Sequence, residues 1–214
     1  SIVCNADIHT VYEKLIPSAQ KLAQVDKQER SSSALIFYWG ISKEFPELDV
    51  HNILFTEDYK TEFDHLFESK IITQDPTIYI NITSKKLKED APEGKENWFL
   101  MINVPSVYGQ DWDTMIAEAR KHILTKLSRI LGTDIEPLIE FEELLTPKLI
   151  QDKTNSYKGS LYGTSSNNRF AAFFRHKNFS SEFKNLYFCG GSVHPGGGIP
   201  LALSSAKIID KLIK

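Results

Sequence analysis

The sequence predicts a mixed α/β fold, of α+β or divided α/β type, in which strands and helices do not strictly alternate. Three observations carry this expectation. Ile78, Ile80 and Ile82 alternate with polar or half-polar residues in "PTIYINIT", the period of a half-buried strand. Trp112, Ile116, Ala119, Ile123, Leu127 and Ile130 recur at spacings of three and four, the period of a long amphipathic helix. Near the end, "NLYFCGGSVHPGGGIPLALSSAKIIDKLI" joins an apolar run to an amphipathic one through eleven residues holding five glycines and two prolines.

Taken in order, Ser1 to Cys4 read as the middle of a buried strand and Asn5-Ala-Asp7 as a turn into a short helix over 6–16, ended by Pro17. A chain that opens inside a strand, without methionine, reads as part of a longer protein. "SSSALIFYWGI" (31–41) is aromatic and β-branched, hence a strand, and "HNILFT" (51–56) is another. Asp58 caps a helix over 59–68 with Tyr59, Phe63, Leu66 and Phe67 on one face. "PTIYINIT" (76–83) pairs with "ENWFLMINV" (96–104) across a polar, turn-rich loop. Asp111 opens the long helix and Gly132 ends it. "DIEPLIEFEEL" gives a strand, and Pro147 starts a short helix. Residues 154–169 hold no period and much Gly, Ser and Asn, as an ordered functional loop or a mobile one would.

Composition narrows the function classes. A net charge of −3 gives no electrostatic footprint for nucleic acid. Two cysteines, Cys4 and Cys189, make no disulfide framework and point to a reducing compartment. The six histidines show no metal-ligand spacing. The longest apolar run, Leu35 to Ile41, is far too short to span a bilayer.

The glycine stretch reads as strand, turn and helix. Leu186 to Cys189 form the strand, and Pro200 sits in the first turn of a helix with Ala202, Ala206, Ile209 and Ile213 on one face. A helix start offers unpaired N–H groups and partial positive charge, and glycines let a bulky anion approach the backbone. The turn suits a phosphate, a pyrophosphate or the edge of a flat heteroaromatic ring. The plainer reading is a tight βα turn needing positive φ, for which one glycine would suffice. Neither a P-loop nor a GxGxxG fingerprint after a first strand is present.

"NLYFCGGSVHPGGGIPLALSSAKI" resembles the C-terminal signature of the carotenoid desaturases of the bacterial phytoene desaturase type. "SIVCNAD" resembles that family's strand re-entering the flavin domain, "SSSALIFYWGI" its central-sheet strand, and "DAPEGKENWFLMINVP" its Ala-Pro-x-Gly hairpin. The resemblance covers nearly all of the chain, but the family's N-terminal third, with the dinucleotide fingerprint, has no counterpart. It implies the C-terminal portion of an FAD-binding, Rossmann-like flavin oxidoreductase with a substrate-subdomain sheet. Residues 1–17 would be the re-entry strand and helix of the flavin domain. Residues 31–145 would be the substrate-domain sheet and helices, and 146–214 the return to the flavin domain with its FAD-contacting turn.

The implied activity is FAD-dependent removal of two hydrogens from a carotenoid. "GGSVHPGGGIPL" and "YINITSK" with "ENWFLMINVP" are closest to the hydroxycarotenoid 3,4-desaturases among such enzymes. By the same resemblance Gly190 and Gly191 lie beside the pyrophosphate or ribityl chain, with Ser192 a partner of the ribityl hydroxyls. Gly198, Ile199, Pro200 and Leu201 lie at the isoalloxazine ring. No residue is assigned as catalytic; His194, between backbone-shaping neighbours, reads as structural or flavin-packing. Phe37, Tyr38 and Trp39, and Phe170, Phe173 and Phe174, are either core or the lining of an apolar tunnel. Thr154 to Arg169 supply polar candidates for a substrate hydroxyl. A lipid-dissolved substrate implies peripheral membrane contact from the cytoplasmic side. Two other readings stay open: an amine- or porphyrinogen-oxidase-like enzyme, which would carry Glu where Gly191 stands, and a non-catalytic nucleotide-binding module.

Overall fold

A computed structural model describes residues 1–167 and 175–213. In chain order the elements are β1 (Ile2–Cys4), α1 (Ile8–Thr10), α2 (Ala19–Asp26), β2 (Ser33–Ile41), β3 (His51–Leu54), α3 (Tyr59–Asp64), β4 (Ile78–Asn81), β5 (Glu96–Val104), α4 (Trp112–Leu131), β6 (Ile139–Leu145), α5 (Pro147–Thr154), β7 (Leu186–Phe188) and α6 (Ile199–Leu212). α1 and α3 each continue into one wide π turn, over Val11–Leu15 and His65–Ser69. The chain divides into two compact units, Ala34–Thr146 and Ser1–Ser33 with Pro147–Lys214.

The 34–146 unit is a five-stranded sheet in the order β3–β4–β5–β2–β6. β4 runs antiparallel to β3 and β5, with Tyr79 opposite Ile53 and Met101. The period-two pattern of β5 is complete: Trp98, Leu100, Ile102 and Val104 are buried, and the residues between them are half-buried. With Ile78, Ile80, Leu35, Phe37 and Trp39 they meet Trp112, Ala119, Ile123, Leu124 and Leu127 of α4. Each such side chain contributes roughly 1.5–3 kcal/mol when fully buried. Asp111 caps α4 by accepting from the Thr114 N–H, and Gly132 ends it in the left-handed region at φ 61°.

Three expectations for this unit change. Ile130 is exposed and Leu131 packs instead, because a residue four positions after Leu127 keeps the stripe of a 3.6-residue period. The strand expected from Asp134 starts only at Ile139, since Pro137 has no N–H for a ladder and sits in a 3₁₀ turn. Phe37 and Trp39 belong to the core; only Tyr38 points to the other face, 37% exposed.

In the other unit, β1 pairs in parallel with β7, Val3 opposite Tyr187. Ile8, Val11, Tyr12 and Val25 close over Leu186, Phe188 and Val193. The expected buried strand at Ser1 to Cys4 is a strand with Ile2 and Val3 exposed. A two-stranded parallel pair has no covering layer on one side among the described residues. On α6 the buried positions are Ser205 and Ile209, while Ala206 and Ile213 face outward. Ser205 is drawn inward by two bonds, taken up below. Phe170, Phe173, Phe174 and Arg169 lie outside the described residues.

Glu96, almost fully buried at a strand end, binds together three parts of the 34–146 unit. It accepts from the Phe45 N–H at 2.9 Å and the Trp98 Nε1–H at 2.7 Å, and pairs with Lys85 at 2.6 Å. Glu96→Ala leaves two buried donors without partners and takes the carboxylate from Lys85, whose Nζ keeps only the Phe45 carbonyl, so this unit loses about 3–5 kcal/mol. All three tryptophans lie in it, so urea unfolding followed by tryptophan fluorescence reads the loss directly.

Candidate functional site

The turn between β7 and α6 is pinned at its entrance. The Cys189 N–H donates to the Cys4 carbonyl at 3.0 Å. The Gly190 N–H donates to Ser205 Oγ at 2.8 Å, and that hydroxyl donates to the Ala202 carbonyl at 2.6 Å. At its exit Gly198 is the N-cap of α6, at φ 91° and ψ 148°, with no side chain capping the helix. Pro200 has no N–H, so the first turn presents those of Ile199 and Leu201 together with the positive end of the helix dipole. A Cβ built on Gly198 meets nothing within 4 Å, and the Ile199 side chain is 78% exposed. This end of the turn is open.

The opposite side is packed. A Cβ on Gly197 would stand 2.4 Å from Tyr162 Cβ, so the two chains approach backbone to backbone there. Ser192 is buried and its Oγ accepts from the Ile8 N–H at 3.1 Å, which holds the start of α1. Beneath the turn lies Arg175, 5% exposed. It donates to the carbonyls of Gly191 (3.3 Å), Tyr162 (3.4 Å) and Thr164 (2.8 Å), and to Ser166 Oγ (2.9 Å). Burial alone pulls its pKa down. The seven residues singled out from the sequence therefore fall into two groups. Gly198, Ile199, Pro200 and Leu201 surround the open helix start; Gly190, Gly191 and Ser192 form the pinned wall behind it. His194 has its backbone fixed on both sides, its N–H donating to the His176 carbonyl and its own carbonyl accepting from Asn178 Nδ2, while its side chain is exposed.

Arg175, Ser205 and Asn178 support the turn, and nothing in their sequence context marks them for that role. Two histidines complete this unit. The carbonyl of Lys177 can only accept, so His176 Nδ1 carries the proton toward it (2.7 Å) and Nε2 accepts from the Tyr12 hydroxyl at 2.7 Å. His9 stacks on Tyr157 at 3.3 Å between ring centroids, with its Nε2 3.2 Å from Asp26. Burial holds both imidazoles below the ordinary value of 6.5; Asp26 offsets only part of this at His9, and the Lys177 carbonyl only part at His176. Among the described residues no cluster of His, Cys, Asp and Glu could hold a metal ion.

Comparison with known proteins agrees with this architecture. The crystal structure of an oxidoreductase from Methanosarcina mazei superimposes with a TM-score of 0.52, over 97% of this chain and 42% of that one, at 16% identity. That likeness is one of fold. No protein-family model matches it. Its sequence is 56% identical over 212 residues to a 1-hydroxycarotenoid 3,4-desaturase of Flavobacterium sp., covering 99% of this chain and 43% of the relative. It is 34% identical over 233 residues to a phytoene desaturase of Fusarium fujikuroi, covering 99% and 41%. The chain is thus similar along its whole length to a part of each of these carotenoid desaturases. It spans less than half the length of the relatives it matches.

Two adjacent glycines are costly to substitute for different reasons. Gly197→Ala forces apart backbone in contact and lowers the melting temperature of this unit by several degrees. Gly198→Ala meets no atom and costs only the strain of a positive φ, about 1–3 kcal/mol. Gly198→Val projects further into the open space and is expected to expel whatever ligand sits there while the fold survives. Circular dichroism melts beside ligand content in the full-length protein separate the two.

The histidines set a pH dependence. Their folded pKa values lie below the unfolded value, so the stability they support is fully present above pH 6.5 and is lost as pH falls through the folded values. Hydrogen exchange at α1 and β7 amides is expected to quicken below this point. His176→Gln flattens that response.

Proposed function

We propose that the protein of which this chain is part is an FAD-dependent carotenoid desaturase acting on a hydroxylated acyclic carotenoid. The observation that carries this reading is the open, uncapped start of α6 at Gly198, in a chain 56% identical to a 1-hydroxycarotenoid 3,4-desaturase. The residues fit a flavin. Gly198 leaves room for a flat ring or a phosphate, and the free N–H groups of Ile199 and Leu201 with the helix dipole favour an anion. When bound, FAD would supply the two-electron oxidising capacity that forming one new double bond in the carotenoid requires.

This chain's own contribution is placement and shielding. Gly190 and Gly191, fixed by Ser205 and Arg175, hold the wall of the turn, which would lie beside the pyrophosphate or ribityl chain. Ser192 Oγ accepts from the Ile8 N–H and keeps its own proton and a second lone pair for a ribityl hydroxyl. The exposed side chains of Ile199 and Leu201 offer apolar surface that excludes water from a reduced flavin. Residues 1–17 and 146–214 serve the flavin side, and 31–145 the substrate side. The substrate dissolves in lipid, which supports peripheral contact with the cytoplasmic face of a membrane. No helix among the described residues is long and apolar enough to cross one.

The test is the full-length protein incubated with phytoene and, separately, with a 1-hydroxylated acyclic carotene. Bound flavin absorbance and a red shift of the hydroxylated compound, from added conjugation, are expected. A colourless protein that converts neither substrate would remove this reading.

A further inference from the structure

Several of the polar groups expected to meet the substrate, in Thr154 to Arg169, already donate within the protein. Ser160 Oγ donates to the Tyr157 carbonyl, Thr164 Oγ1 to Gln28, and Ser165 Oγ and Asn167 Nδ2 to Glu29. The 34–146 unit offers a different polar group. α4 covers one face of its sheet. On the other face alternation and register place Ile53 of β3, Tyr79 of β4, and Phe99 and Met101 of β5, an apolar and aromatic strip. Phe99 packs edge-on to Tyr38 at 5.6 Å and to Tyr79 at 6.3 Å. At one edge of this strip stand His51, Tyr79 and Asn81.

Their protons can be assigned one from another. Asn81 Nδ2 lies 2.9 Å from the Val50 carbonyl, which can only accept, so the amide nitrogen faces it. The second N–H of that nitrogen lies 3.2 Å from His51 Nδ1. This makes Nδ1 the acceptor. The Tyr79 hydroxyl, 2.8 Å from the same Nδ1, is the nearer of the two donors to its single lone pair. With its proton placed there, the Tyr79 oxygen turns lone pairs toward a ligand on this face.

We propose that His51, Tyr79 and Asn81 form the hydroxyl-recognition site for the carotenoid, with Tyr79 Oη accepting from the substrate's hydroxyl while the polyene lies along Tyr79, Phe99 and Met101. The inference rests on the desaturase reading above. It commits to a donor end group. A hydrocarbon end covers the Tyr79 lone pairs without replacing their water, and a methyl ether brings a second acceptor against them; both are disfavoured.

The experiment uses the full-length, flavin-loaded enzyme and three acyclic carotenoids that differ only at carbon 1: hydroxyl, hydrogen and methoxy. Wild type is expected to show the highest kcat/KM for the hydroxyl compound. In Tyr79→Phe, which removes one half-buried oxygen, the preference over the hydrocarbon falls by about tenfold or more. Asn81→Leu, which releases the tautomer of His51, lowers it in the same direction. Matching thermal melts keep the comparison among folded proteins. An unchanged preference in Tyr79→Phe, or an equal fall for all three substrates, overturns the inference. So does a wild-type enzyme that desaturates the hydrocarbon as well as the alcohol, and that outcome leaves the desaturase reading standing. A protein without flavin that converts none of the three takes down both.

Discussion

The approach of the Tyr162–Gly163 backbone to the turn at Gly191–Gly197 is the contact on which the candidate site depends. A Cβ on Gly163 would stand 2.7 Å from Ser192 Cα, and one on Gly197 2.4 Å from Tyr162 Cβ. Arg175 binds both sides of this contact, through the carbonyls of Tyr162 and Gly191. Its four acceptors are neutral, so the guanidinium keeps its full charge under the turn. The start of α6 adds the positive end of a helix dipole. Two independent sources of positive potential thus lie at one short loop in a chain whose net charge is negative. The local field favours an anion where bulk charge says nothing.

Much of the fold was legible because its signals are local. The alternation of β4 and β5, the cap at Asp111, the stop at Gly132 and the proline at the head of α6 each act within a few residues. What escaped depends on longer-range facts or on competing rules. α2 was not foreseen: its apolar positions are few, and its cap at Ser18 bonds the Lys21 N–H at 3.4 Å, a weak signal. The extent of β6 was overestimated because apolar character outweighed the missing N–H of Pro137. The buried stripe of α6 was read from apolar residues alone. Ser205 occupies it because its hydroxyl satisfies both a helix carbonyl and the Gly190 N–H, and no hydrophobic scale reports that.

The site was legible as a place and not as a mechanism of support. Glycine density marked the turn, and it does hold the open helix start. It did not say that Gly197 is required by Tyr162, 35 positions earlier, while Gly198 faces empty space. Arg175 could not be singled out, since its four partners are backbone or hydroxyl groups that come near only after folding. Cys4 and Cys189 lie at the ends of paired strands, and both are free thiols.

The two faces of the five-stranded sheet divide stability from recognition. The α4-covered face is apolar apart from Glu96 at a strand end, and its burial supplies the folding free energy of that unit. The other face is released from that demand, so it can carry a tyrosine, a histidine and an asparagine at little cost while water reaches them. That cost changes when an apolar chain covers the face. Water leaves the Tyr79 oxygen, and an unpaired buried acceptor costs about 1–3 kcal/mol unless the ligand brings a donor. An alcohol restores the bond that water made and gains little beyond it. A hydrocarbon restores nothing. Discrimination at such a site therefore comes mainly from a penalty on the wrong end group, and it exists only because the surrounding Ile53, Phe99 and Met101 are dry enough to enforce it.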